Sequence, residues 1–183
     1  MDLERNKAYE ELSELYCAFL NCHFPGEENF MIEPLVHFCT PVSAGPTEGA
    51  PNGQPVEISP ALIVFIVNDG SNEDKDTPVL ICGRKASEPG TEARALSDAR
   101  RAHFPEQAGR SQILQGILEG LPPIPMVIVD ENRICAFPAA ETQLCSPVEY
   151  PSMLDPGLHD WLRGIAAKHT WLREFAEKHQ VTV

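Results

Sequence analysis

Apolar residues recur at three- and four-residue spacing near the start of the chain: Leu12, Leu15, Tyr16, Phe19 and Leu20. That spacing predicts an amphipathic helix over residues 3–23, with Asp2 as its cap and Pro25-Gly26 as its stop. The pattern then changes. Residues 30–39, FMIEPLVHFC, read as a strand whose first part Pro34 demotes to an edge or a bend. VSAGPTEGAPNGQPVE, residues 42–57, carries three glycines and three prolines and reads as a long exposed loop. ALIVFIVND, residues 61–69, is apolar and β-branched almost throughout, the signature of a strand buried on both faces. After the polar GSNEDKD comes a second such strand, TPVLICGR at 77–84, and the two suggest an antiparallel hairpin.

Further along, helical periodicity returns at 91–103 and again at 111–119, where Ile113, Leu114, Ile117 and Leu118 share a face before Gly120. Short strands follow at 126–129 and 133–137, joined by a turn at Asp130-Glu131-Asn132. A loop containing Pro147 and Pro151 leads to Asp155-Pro156, a cap followed by a proline in the first helical position. The last helix reaches about residue 179. The order α-β-β-β-α-β-β-α predicts one α+β domain over 1–183: an antiparallel β-sheet of about five strands with helices packed on one face, and an exposed loop at 42–57.

The last helix repeats itself. His159, Trp161, Leu162, Arg163, Ala166 and Lys168 recur ten positions later, and His179 begins a third copy. Ten residues turn a helix by about 1000°, roughly 80° short of three turns, so the three histidines do not share a face. A metal pair on a helix needs spacing of three or four, and the ladder fails on that ground. The repeat reads as packing, with Trp161, Leu162, Ile165, Leu172, Phe175 and Ala176 in one arc and His169 near its border.

Charge narrows the function. Fourteen Lys and Arg against 27 Asp and Glu leave a formal net charge of −13. Such a surface repels the phosphate backbone of nucleic acids and anionic membranes alike, and favours a basic partner or simply serves solubility. The first residues lack the basic start and apolar run of a signal peptide, and the longest apolar run, ALIVFIV, is far short of a membrane span. The expected location is cytoplasmic, where the six cysteines would be free thiols.

Candidate chemistry is sparse. Cys22, His23, His37 and Cys39 are zinc ligands by type, yet no C-x-x-C occurs, and the H-x-E motif of zinc deaminases is missing where Gly90 stands. His37 and Cys39 would fall on the same side of a strand, and Cys145 lies in an exposed loop; both bear on cysteine chemistry. There is no phosphate-binding loop, no G-x-G-x-x-G and no serine-hydrolase elbow. The Gly83-Arg84-Lys85 segment with Gly90-Thr91 is at most a weak anion site. No catalytic or cofactor-binding residue is assigned, and no cofactor is expected.

The acidic charge, the small size and the α-β-β-β-α-β-β-α order resemble the bacterial secretion chaperones of the type III class. That resemblance implies an acidic homodimer that wraps an unfolded stretch of its client. The expected function is a non-enzymatic protein-binding module: a chaperone, adaptor or inhibitor of a basic partner. The alternative is a small intracellular enzyme with a Cys/His or zinc centre near His37/Cys39.

Overall fold

The computed structural model describes residues 3–35, 38–39, 57–67, 77–86, 124–130, 133–139 and 146–179. The first helix, α1, spans Leu3–Asn21 and is followed by a short 3-10 turn at Gly26–Glu28. The strands are β1 (Phe30–Leu35), β2 (Phe38–Cys39), β3 (Glu57–Ile66), β4 (Thr77–Lys85), β5 (Met126–Asp130), β6 (Arg133–Phe137) and β7 (Val148–Tyr150). The terminal helix, α2, spans Pro156–His179.

All seven strands join one sheet in the order β1-β3-β4-β5-β6-β7, with β2 also pairing β3. The expected hairpin forms: β3 and β4 pair antiparallel, Ile63 opposite Ile81. The expectation of a purely antiparallel sheet does not hold, because β4 and β5 run parallel, Cys82 opposite Val127. Their residues are apolar toward both faces, as is usual for parallel strands, and an apolar run carries no mark of strand direction. Parallel neighbours cannot be joined by a tight hairpin turn, and residues 87–123 separate β4 and its flank from β5 in sequence. The helical stretches expected at 91–103 and 111–119 fall in that interval, outside the described residues.

There are three further differences, two of which raise the strand count from five to seven. The expected strand at 30–39 divides into β1 and β2, both of which pair with β3. β3 begins at Glu57, inside the segment read as loop, because Glu57 and Ile58 find partners in Cys39 and Phe38. β7 lies in what read as a proline loop, since three residues between two prolines are too few for a periodic signal.

Alternation along the strands makes two apolar layers. Leu62, Val64, Ile66, Leu80, Cys82, Val127, Ile134 and Ala136 point to the face on which both described helices pack. Tyr16, Leu20 and Phe24 come to that layer from α1 and its C-terminal turn, and Leu158, Leu162 and Ala166 from α2. Ile58, Ala61, Ile63, Phe65, Ile81, Met126, Ile128 and Phe137 point to the other face and are buried as well. Leu15, expected on the apolar face of α1, is 61% exposed. It stands on the flank of the arc that Leu12, Tyr16 and Phe19 centre, and the sheet does not reach it.

The hairpin is held at an unusually tight point. Gly83 lies opposite the irregularity between Ile58 and Ala61. A β-carbon at Gly83 would overlap the Pro60 carbonyl oxygen and the Ile58 methyl carbon. Only glycine lets the two backbones approach there. At the far end of β4, Lys85 Nζ lies 2.8 Å from an Asp130 carboxylate oxygen and ties β4 to β5.

Candidate functional site

The site is the junction between the end of α1 and the start of α2. After Asn21 the chain turns tightly: the amides of His23 and Phe24 both donate to the Leu20 carbonyl, at 2.9 and 2.8 Å. That turn folds His23 back against the last turn of α1, where Phe19 meets its ring edge-on with centroids 5.2 Å apart. On the opposite side α2 begins as its sequence predicts. The Asp155 carboxylate accepts the Gly157 amide at 2.8 Å and so caps the helix. Gly157 allows close seating, since a β-carbon there would stand 3.1 Å from Tyr150 of β7. Buried Leu158 and Leu162 fix the rotation of α2 on the sheet. His159, between them, is thereby aimed at His23.

His159 Nδ1 and His23 Nε2 lie 2.8 Å apart, a hydrogen bond. The rings are tilted at 48° with centroids 4.7 Å apart, and Phe19 packs against His159 too, at 5.7 Å. His23 is buried, with its Nδ1 enclosed and lacking a partner, whereas His159 is half-buried. These facts favour one tautomer. If His23 carries its proton on Nε2 and donates it to His159 Nδ1, the enclosed Nδ1 is only an unused lone pair. The reverse assignment would bury an unsatisfied N–H, the costlier defect.

Electrostatics points the same way. Burial holds the His23 pKa below its ordinary value, and the neighbouring His159 and Arg163 lower it further. Arg163 is itself engaged with Asp160 at 3.0 Å on the exposed side of α2. His23 is therefore a neutral imidazole at neutral pH. The pair can hold two helices in register, and with His23 Nδ1 enclosed and unpartnered it ends at His23. Among the described residues no thiol is recorded against it: Cys22 is exposed and directs its Sγ at the Ala18 carbonyl, at 3.3 Å.

The candidates from the sequence scatter. Cys22 and His23 sit at the end of α1. Phe30 follows shortly after them and pairs with Ile66, whereas Cys39 pairs with Glu57 at the opposite end of β3. His37, Cys145 and the Gly90-Thr91 segment lie outside the described residues. Arg84 and Lys85 of the weak anion-site segment are residues of β4, and Lys85 is engaged by Asp130. Among the described residues no group of three or more His, Cys, Asp and Glu side chains is placed to share a metal ion. The described cysteines, Cys17, Cys22, Cys82 and Cys135, are free thiols. Cys82 is fully buried, which pushes its pKa to about 12 and makes it a core residue without thiolate character.

The histidine repeat resolves into separate roles. His159 belongs to the pair. His169 is half-buried, and burial followed by Lys168 lowers its pKa. The side chain of His179 lies outside the described ones. What the sequence did not reveal is the partner of His159, which stands 136 positions away and shares no motif with it.

The fold thus defines the chain as an α+β protein with a mixed sheet and two described helices on one face. No described helix is long and apolar enough to cross a membrane. No protein-family model, curated protein or solved structure matches the chain.

Proposed function

We propose that the protein is an acidic, non-enzymatic binding module for a basic protein partner, acting as a chaperone, adaptor or inhibitor. The observation that carries this reading is the excess of 27 acidic over 14 basic residues. Part of that excess lies on exposed positions of the outer face of α1 and the turn after it: Glu10, Glu11, Glu14, Glu27 and Glu28. Leu15, exposed beside Glu11 and Glu14, adds an apolar contact to an acidic surface. Complementary charge of this kind speeds encounter and selects partners by sign.

A pull-down from the native host tests it. One basic protein should be retained at low salt and released as ionic strength rises, and reversing Glu10 and Glu14 to lysine should weaken its capture. Retention that is indifferent both to salt and to the charge reversal would sink the reading.

A second reading is a small enzyme with a Cys/His or zinc centre near His37/Cys39, whose side chains lie outside the described ones. Metal analysis and a thiol-reactivity profile of the purified chain separate the two. Stoichiometric zinc or one hyper-reactive cysteine favours the enzyme.

A further inference from the structure

Among the described strands β7 is an edge, and none of them pairs beyond it. β7 is short, Val148–Tyr150, and bracketed by Pro147 and Pro151. Its register on β6 places Val148 opposite Ala136, Glu149 opposite Cys135 and Tyr150 opposite Ile134. Ala136 and Ile134 belong to the helix-covered layer, so Val148 and Tyr150 extend that layer to the rim, and Glu149 points to the other face. Large apolar side chains are exposed at few described positions: Leu15, Val148 and Leu154. Val148, 47% exposed, is in β7; Leu154, 81% exposed, is in the turn that carries β7 into α2.

An open edge presents unpaired backbone donors and acceptors, which invite another strand. We infer that the β7 edge is the docking site of the basic partner, and that it takes an extended segment with an apolar–basic–apolar triad. The apolar residues of that triad lie opposite Val148 and Tyr150. The basic residue lies opposite Glu149, whose carboxylate makes a 3.5 Å contact with Arg133. Opposite charges directly across a ladder attract, and like charges repel. For that reason a second copy fits the edge badly. Two β7 strands paired antiparallel about their midpoint would set Glu149 against Glu149, between chains that each carry −13. The flanking prolines lack amide hydrogens, so the added ladder is confined to about the length of β7.

This inference rests on the proposed binding of a basic partner, and its test separates the two. The full chain, isotope-labelled for amide NMR, is titrated with a synthetic decapeptide alternating valine and lysine, then with one alternating valine and glutamate. The lysine peptide should shift the amides of 134–136 and 148–150 and bind about tenfold tighter than the glutamate peptide, the scale of one cross-strand charge pair replaced by a repulsion. Glu149→Lys, an exposed change whose fold the same spectrum reports, should narrow that preference at the 148–150 amides.

Equal binding of both peptides, no effect of Glu149→Lys, or no binding overturns the inference. Peptide-induced shifts on α1 instead would move the site and leave the acidic-module reading standing. Failure of the Glu10/Glu14 reversal and of salt to affect partner capture would remove that reading itself. Shifts at 148–150 that grow with protein concentration without peptide would assign the edge to a second copy and also overturn the inference.

Discussion

The β3–β4 hairpin at the centre of the sheet is buried and the His23–His159 junction at the helix ends partly so, and they are held by opposite means. The hairpin is close-packed hydrocarbon and backbone: Ile63, Val64, Leu80 and Ile81 are at most 1% exposed, and one glycine sets the spacing. Nothing in that contact titrates near neutral pH, for Cys82 is driven to about 12. The junction is two imidazoles that satisfy each other in part and leave one nitrogen without a partner. Steric fit fixes the first region under all ordinary conditions, whereas protonation state governs the second.

The largest effect should come from Gly83. Gly83→Val places a branched side chain where Pro60 and Ile58 already stand. Overpacking of a core that cannot yield costs roughly 1–3 kcal/mol or more, and here backbone is the obstacle. Denaturant melts should show a loss of at least about 3 kcal/mol, or no cooperative transition at all. A cooperative fold within about 1 kcal/mol of the parent would show that the hairpin is not the rigid member of the comparison.

Next in size is the packing that aims His159. Leu162→Ala removes a fully buried side chain from the helix–sheet layer, and changes of that kind cost about 2–5 kcal/mol. The same variant should loosen the seating of α2, so the His159 ring resonances should shift with it. Loss of stability without movement of those resonances would separate the junction from the packing beneath it.

The pH dependence is the direct probe of the difference. The His23 pKa is lowered in the folded chain, so between its ordinary 6.5 and the folded value the unfolded state binds more protons. Stability should therefore be fully present above about pH 6.5 and decline as the pH falls through that window. His169 is shifted in the same direction and adds to the slope. His23→Phe should reduce the slope without removing it, and His23→Phe with His169→Gln should flatten that window further. An unchanged slope in the double variant would show that carboxylates elsewhere govern the acid side.

These two regions also differ in how legible they are from sequence. The hairpin could be read because its signal is local: two β-branched apolar runs around a polar turn allow few other outcomes. The cap of α2 was legible for the same reason, Asp155 acting on an amide two residues away. Gly83 could be placed in a strand, but its reason for being glycine lies in Pro60 on another strand and leaves no local mark. The parallel β4–β5 pair was missed since periodicity records burial and not direction. His23 and His159 were each visible as residues near helix ends, and only the packing of Leu20, Leu158 and Leu162 makes them neighbours. A tertiary pair of that kind leaves no spacing to find.

The smallest expected effect tests whether charge matters to the central sheet at all. Lys85 and Asp130 close the parallel β4–β5 contact at 2.8 Å, but their side chains are 38% and 27% exposed. Water screens a pair so placed, and exposed or half-exposed ion pairs contribute roughly 0–1 kcal/mol. Lys85→Met keeps the aliphatic stem over the strand and removes only the charge, so the loss should stay under about 1 kcal/mol and shrink as salt is added. Asp130→Asn should behave alike, and the double variant should cost less than the two single losses added, because each single change already breaks the pair. A loss above about 2 kcal/mol that salt does not reduce would place a desolvated charge pair at the sheet's centre. The contrast between an uncharged, sterically fixed hairpin and a protonation-governed helix junction would then fail at its first term.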